Sequence, residues 1–397
     1  MSKRSLAALE ANHLDGQRVV VRADLNVPIT DGVVGDDTRI VASLPTIRHL
    51  RQHGAKVVLL SHLGRPKGGP EPKYSLKPVA RELERLLGAP VTFLDDPTSD
   101  EAAQQVRHLP RGGVALAENT RFYAGEEAND SALADKFARL GTMFVNDAFG
   151  SAHRAHASTE AIAHRLKPAV AGFLMEKELK FLGETVNNPE RPFVAILGGA
   201  KISGKIDLVE SLLPKVDRIL IGGAMACTFF KAMGLEVGNS LVEDDRLDMA
   251  RDLIAQAGDK LVLPTGALIA QKLAGDAPTR EVPRDAIPAG WAMFDIDAGS
   301  VKHFAGIIEG ARTVIWNGPM GVFETPPFDA GTLGVAHALA RATAKGATTV
   351  VGGGDSAAAV NAAGLDDQVS HVSTGGGASL EFLEGKPLPG VAALDDA

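Results

Sequence analysis

Arg22 follows the run Val19-Val20-Val21, His62 and Arg65 follow Val57–Leu60, Arg121 follows Val114–Leu116, and Arg154 follows Phe144-Val145. Guanidinium groups bind phosphate and carboxylate bidentately and stay charged at any physiological pH. Their recurrence just after strand-like runs points to a small anionic ligand. The chain as a whole carries a net charge of −8, so this is a local basic site on an acidic protein. Nucleic acid would call for a broader basic face, and no nucleic-acid partner is expected.

The second half offers phosphate chemistry of another kind. Gly199–Lys205 satisfies most of a Walker A pattern, but Ile206 stands where a Ser or Thr should bind magnesium, so an ordinary P-loop ATPase is not expected. If a helix begins there, Lys201 and Lys205 share one face, and two adjacent ammoniums call for an anion or for water between them. Gly352-Gly353-Gly354-Asp355-Ser356 follows the run Thr349–Val351. Glycines permit close backbone approach, and Asp or Ser caps a helix whose free N–H groups and positive dipole end face outward. Asp355 would repel a phosphate directly but suits a Mg²⁺ that bridges to one. Ser373–Gly377 repeats the arrangement before Ala378–Leu383. A solvated lysine face or a plain helix cap would explain any one of these segments alone.

Other chemistries find little support. His153 and His156 lack a cysteine or patterned carboxylate for zinc. There is no Gly-x-Ser-x-Gly elbow, and no His-Arg-Asp with Asp-Phe-Gly of the protein kinases. The one cysteine, Cys227, lies among Ala226, Thr228 and Phe229 and reads as a packed thiol.

The elements that must position these residues alternate. Apolar, strand-like runs alternate with helical stretches such as Thr46–His53, Leu76–Leu87 and Ser131–Leu140 in the first half. Phe193–Leu197, Ile219–Ile221 and Thr349–Val351 each run into glycines in the second. Such alternation implies βαβ units and a parallel sheet in each half, with ligands at the carboxyl ends of the strands. Met175–Val186 has its apolar residues on one helix face and is broken by Asn187-Asn188-Pro189, so it reads as a connecting helix. The expected fold is α/β: two doubly wound lobes, each a parallel β-sheet flanked by helices, with a cleft and hinge between them. The expected domains are 1–174, a hinge helix 175–188, 189–385, and a tail 386–397 returning to the first domain. With 397 residues, 45% hydrophobic and 23% charged, the composition is that of a soluble globular protein. No signal peptide or bilayer-spanning run is visible, and a single cysteine fits a reducing cytoplasm, so a cytoplasmic protein without a membrane partner is expected.

Taken in order, these segments resemble the phosphoglycerate kinase family over almost the whole chain. The resemblance rests on Arg22-Ala-Asp24-Leu-Asn26-Val-Pro28, Asp37-Thr-Arg39, Ser61-His62-Leu-Gly-Arg65-Pro-Lys-Gly68, Glu118–Glu127 and Val145–His156. In the second half it rests on Gly-Gly-Ala-Lys201-Ile-Ser-Gly-Lys205, Trp316–Glu324, Gly352–Ser356 and Ser373–Gly377. It implies that the first domain binds 3-phosphoglycerate through Arg22, Asp24, Asn26, Arg39, His62, Arg65, Arg121 and Arg154. Asp24 and Asn26 would address the hydroxyl and carboxylate region. The second domain would bind MgATP through Lys201, Lys205, Asn317, Glu324, Gly352, Gly353, Gly354, Asp355 and Ser356, with Asp355 on Mg²⁺ and Glu324 on the ribose. Arg39, Lys205, Gly354 and Gly377 would be catalytic, Arg39 and Lys205 flanking the phosphoryl group in flight. The family also implies a monomer. The reaction implied is reversible phosphoryl transfer between ATP and the carboxylate of 3-phosphoglycerate. The alternatives are a non-catalytic nucleotide- or anion-binding protein on this fold, or a kinase for another phosphorylated acid. The intact arginine set and the presence of Lys205 and Asp355 weigh against both.

Three segments depart from the family pattern. Gly204 stands where aspartate is common, which would loosen a helix start. Leu263-Pro264-Thr265-Gly266 replaces Leu-Pro-Val-Asp, and Asp295-Ile296-Asp297-Ala298 replaces Asp-Ile-Gly-Pro. None removes a phosphate or magnesium residue. The last two bear on nucleotide-side packing and leave base selectivity open.

Overall fold

The computed structural model describes residues 3–397 and contains two compact units. One runs up to Leu179 and takes in Pro387–Ala397; the other is Lys180–Lys386.

The strands of the first unit are β1 (Arg18–Ala23), the small ribbon β2 (Ile29–Thr30) and β3 (Val33–Val34), β4 (Lys56–Leu60), β5 (Val91–Leu94), β6 (Val114–Ala117), β7 (Met143–Asp147) and β8 (Ala169–Ala171). Six of them form a sheet in the order β5-β6-β4-β1-β7-β8, and all its pairings are parallel. Val19, Val20 and Val21 are all buried, as are Val57–Leu60. A strand covered on both faces reads as an unbroken apolar run, which is why these segments showed no alternation. Helices α1 (Thr38–Gln52), α2 (Lys77–Leu87), α3 (Asp100–His108) and α4 (Ser131–Ala138) connect the strands. Ile40, Leu44, Ile47 and Leu50 of α1 join Val79 and Leu83 of α2 in one core with Val19, Val57 and Val114.

Helix α1 begins eight residues before the expected Thr46 and carries Pro45 inside it. An internal proline costs about 3 kcal/mol through its missing N–H and its ring. Burial of Ile40 and Leu44 in the turns before it offsets that cost at about 1.5–3 kcal/mol per side chain. The extension matters because it puts Arg39 in the first turn of α1.

The segment read as one connecting helix is α5 (Phe173–Glu178), a π-helical stretch Leu179–Glu184 and α6 (Thr185–Asn187). The start of α5 is held by Asp147 at the end of β7, whose Oδ1 accepts from the N–H groups of Leu174 and Met175 at 2.9 and 3.2 Å. Burial pushes the Asp147 carboxyl up to about 6. The chain's last residues are tied to the same unit: Lys3 Nζ donates to Leu394 O and Asp396 Oδ1, both at 2.8 Å, and Asn146 Nδ2 donates to Gly390 O at 2.9 Å.

The second unit repeats the scheme with β9 (Phe193–Leu197), β10 (Arg218–Ile221), β11 (Leu261–Val262), β12 (Gly266–Ala270), β13 (Thr279–Pro283), β14 (Ala292–Ile296), β15 (Thr313–Asn317), β16 (Thr348–Gly352) and β17 (His371–Val372). Its parallel sheet has the order β11-β10-β9-β15-β16-β17, and β13-β12-β14 form a separate antiparallel sheet. Its helices are α7 (Ile206–Leu212), α8 (Met225–Ala232), α9 (Leu247–Ala257), α10 (Ala298–Glu309), α11 (Ala330–Ala344), α12 (Gly354–Ala362) and α13 (Gly377–Leu383). Cys227 is fully buried on α8 and burial pushes its thiol up to about 11, the inert character its apolar neighbours implied.

Candidate functional site

In the first unit β6, β4, β1 and β7 are adjacent and parallel, so the loops after them share one sheet edge. Asp24 and Asn26 follow β1, His62 and Arg65 follow β4, Arg121 follows β6, and Arg154 lies beyond β7. Arg39 reaches the group from α1 and its Nη1 lies 2.8 Å from Asp24 Oδ2.

The loops are fastened by short side chains. Asn119 does most of this: its Oδ1 accepts from Leu63 N at 3.2 Å and Arg121 N at 3.0 Å, while its Nδ2 donates to Leu63 O at 2.7 Å and Tyr74 O at 3.0 Å. Asn26 Oδ1 accepts from Gly64 N at 2.9 Å, and Arg121 Nη1 donates to Gly64 O at 2.8 Å. A Cβ on Gly64 would meet the Tyr74 ring at 2.3 Å, and Gly64 has φ +60°, so the loop tolerates only glycine there.

Arg65 and Arg154 are exposed and have no ion-pair partner among the described residues. Arg121 is paired at 3.3 Å with Glu127. Its pKa is lowered by burial first and then by the charges of Arg154 and Arg65, with Glu127 and Glu126 opposing. Burial, then Arg22, Arg121, Arg154 and His153, bring His156 down to about 4. Uncompensated positive charge gathered at one edge is costly without an anion. Arg22 stands apart from this group. It is 0% exposed, and its Nε, Nη1 and Nη2 are all engaged by protein atoms.

In the second unit the glycine loops pack backbone on backbone. A Cβ on Gly198 would lie 2.1 Å from Pro319 O, and one on Gly223, at φ +71°, 2.5 Å from Gly199 N. The turn after β9 does not start a helix at Lys201. Helix α7 begins at Ile206, and Lys205 occupies its N-cap position, so Lys201 and Lys205 do not share a helical face. The reason is local: Lys205 N bonds Ile202 O in a tight turn, while Ser203 is held by Glu243. Lys205 turns inward and its Nζ donates to Asn317 O at 2.8 Å and to Asn317 Oδ1. Burial pulls the Lys205 ammonium down to about 8, with Asp355 opposing. Lys201 stays exposed.

Asn317 ends β15 beside the Gly352–Gly354 turn. Its Nδ2 is buried without a partner, and a Cβ on Gly353 would come within 2.9 Å of it. A buried donor left open costs about 1–3 kcal/mol unless a ligand fills it. Gly353 has φ +88° and precedes α12, whose first turn holds Gly354, Asp355 and Ser356. Ser356 is turned inward, its Oγ accepting from Gly318 N at 2.6 Å. Asp355 is exposed, with no ion pair among the described residues. Gly377 opens α13 after Gly376 at φ +53°, and Glu324 is exposed on the loop after β15. One exposed carboxylate beside open helix N–H groups fits a Mg²⁺ ion that takes its remaining oxygens from nucleotide and water. Sequence reasoning missed Asn119, Glu126 and Ser158. Asn119 and Glu126 lie inside Glu118–Glu127, but the partners that give them and Ser158 their roles, such as Leu63, Tyr74 and Arg22, are distant in sequence.

The comparisons agree on one family. The family model described as phosphoglycerate kinase matches residues 9–386. The chain is 56% identical to the protein named phosphoglycerate kinase, cytosolic, of Triticum aestivum over 400 residues, covering 100% of both chains. It is 58% identical over 380 residues to a phosphoglycerate kinase of Deinococcus radiodurans, covering 96% of this chain and 92% of that one. Among solved structures, the phosphoglycerate kinase of Coxiella burnetii superposes with a TM-score of 0.90 at 42% identity, and that of Pyrococcus horikoshii with 0.84 at 31%. Each covers 98% of both chains.

Proposed function

The chain belongs to the phosphoglycerate kinase family and transfers a phosphoryl group between ATP and the carboxylate of 3-phosphoglycerate, and from that premise we propose which residues do so. The loops of the first unit hold 3-phosphoglycerate. Asp24, Asn26 and Arg39 meet its carboxylate end; His62, Arg65, Arg121 and Arg154 meet its phosphate. Arg22 supports them from behind. The glycine turns of the second unit, with Lys201, Lys205, Asn317, Asp355 and Ser356, hold ATP, and Glu324 takes the ribose hydroxyls.

The attacking atom is a carboxylate oxygen of 3-phosphoglycerate, ionised at neutral pH, so no general base is needed. That oxygen forms a bond to the γ-phosphorus while the bond to the ADP oxygen breaks, and ADP leaves with the electron pair. No proton moves. What remains for the protein is positioning and charge compensation, from Arg39, Lys205 and the N–H groups at Gly354 and Gly377. Mg²⁺, which Asp355 would hold, neutralises nucleotide phosphate charge when bound. The π-helical stretch Leu179–Glu184 is where we place the hinge, since such insertions often mark functional bends. We take the protein to act as a cytoplasmic monomer, in keeping with its relatives named cytosolic.

The observation that carries the substrate assignment is the convergence of unpaired Arg65 and Arg154 with Arg121 on one sheet edge. Calorimetry tests it. Arg65→Ala should weaken 3-phosphoglycerate binding by about tenfold or more while ATP binding stays within about twofold. Equal losses of both would contradict the assignment.

A further inference from the structure

Arg22, the last residue but one of β1, lies wholly inside the protein, and a guanidinium can only donate hydrogen bonds. Its Nη2 lies 3.0 Å from His62 Nδ1, so Nδ1 must accept and carries no proton. Its Nε donates to Ser158 Oγ at 2.9 Å. Ser158 therefore has its one hydroxyl hydrogen to give, and it gives it to Glu126 Oε1 at 2.5 Å. The Ser158 N–H donates to Glu126 Oε2 at 3.0 Å. Glu126 and Ser158 are both 0% exposed. Every donor direction along this chain is forced by the chemistry of the groups.

Burying a cation and a carboxylate is weak evidence for stability, because desolvation offsets their attraction. Such a pair is better explained by what it holds in place. Here that is the imidazole of His62, whose Nε2 has no protein partner among the described residues.

We propose that Glu126, Ser158 and Arg22 form a positioning relay that locks His62 as the neutral Nε2–H tautomer, aimed as a single fixed donor at the anionic substrate. The relay rests on the reading that His62 faces 3-phosphoglycerate. Recognition by His62 is then directional and not a matter of added positive charge. The groups that face His62 agree with this. Burial is the main effect, and Arg22 of β1, Arg121 after β6, Arg39 of α1 and His156 all oppose a proton on the ring. Burial lowers the Arg22 pKa and Arg121 adds to that, while the charges of Glu126 and Asp24 oppose it.

Long-range proton–nitrogen NMR spectra of the histidine rings in the full-length enzyme test the lock directly. His62 should show a protonated Nε2 and a bare Nδ1, unchanged from about pH 5.5 to 8, the range over which an ordinary histidine titrates. A proton on Nδ1, or titration of His62 in that range, would overturn the proposal. Ser158→Ala and Glu126→Gln should release the ring to a tautomer mixture. They should also raise KM for 3-phosphoglycerate about tenfold, with KM for ATP within about twofold. A tautomer that stays locked in both variants would overturn the relay. A released tautomer with unchanged KM would uphold the relay and overturn the reading of His62 as a substrate donor. If either variant fails to fold, the spectrum of the unaltered enzyme still decides the tautomer.

Discussion

A Cβ built on Gly266 would lie 2.7 Å from both Cγ and Oδ2 of Asp297, so an aspartate at one position excludes a side chain at the other. Asp297 caps α10, accepting from Ser300 N at 3.0 Å, and Ser300 Oγ in turn accepts from Thr265 N at 2.9 Å. In the family pattern that the chain resembles, an aspartate is frequent at the position of Gly266 and a glycine is usual at that of Asp297. The two departures in this chain are therefore one exchange, with the carboxylate moved from β12 to the start of α10.

This exchange predicts coupling between the two sites. Gly266→Asp alone should destabilise by about 1–3 kcal/mol through crowding and like charge, and Asp297→Gly alone by about 1 kcal/mol through the lost cap. The double variant should recover about 1 kcal/mol or more of the summed loss in urea unfolding. Strict additivity would mean that the two departures are independent.

Much of this architecture is legible in the sequence. Runs such as Val19–Val21 and Phe193–Leu197 announced buried parallel strands, and the glycines after them announced tight turns. Two features were not legible, for physical reasons. Pro45 resembles a helix start, and only the buried Ile40 and Leu44 before it show that α1 begins at Thr38. Lys201 and Lys205 have helical spacing, but spacing carries no information on where the first hydrogen bond closes, and the helix starts one residue after Lys205. Arg22 was legible as a basic residue at a strand end. Its burial behind His62 depends on Ser158 and Glu126, more than a hundred residues away in sequence.

Lys205 gives a pH prediction. Its pKa is about 8 in the folded protein, against about 10.4 for a free lysine, because burial disfavours the ammonium. Below that value the charge needed for a phosphate is present; as pH rises through about 8 the unliganded protein loses it. ATP affinity should therefore fall between about pH 7 and pH 9, while a Lys205→Arg variant, charged throughout, shows no such fall. Calorimetric titrations at both ends of the range check this. Parallel behaviour of the two proteins would place the titrating group elsewhere.

Asp355→Ala should lower turnover by about tenfold or more at limiting Mg²⁺, with partial recovery at high Mg²⁺, because one carboxylate of the metal's shell is lost. Binding of 3-phosphoglycerate should be unchanged. Initial rates measured across a Mg²⁺ series decide it, and a curve that overlays the parent's would remove Asp355 from the metal.

Residue assignments and reaction meet most directly in a coupled assay of the purified protein with 3-phosphoglycerate, ATP and Mg²⁺. The 1,3-bisphosphoglycerate formed is followed by its reduction with an added NADH-dependent dehydrogenase, and Lys205→Ala is run alongside. The account predicts steady turnover by the parent and a loss of about a hundredfold or more in the variant. A folded parent that binds ATP yet forms no acyl phosphate, or a variant that keeps full activity, would contradict it.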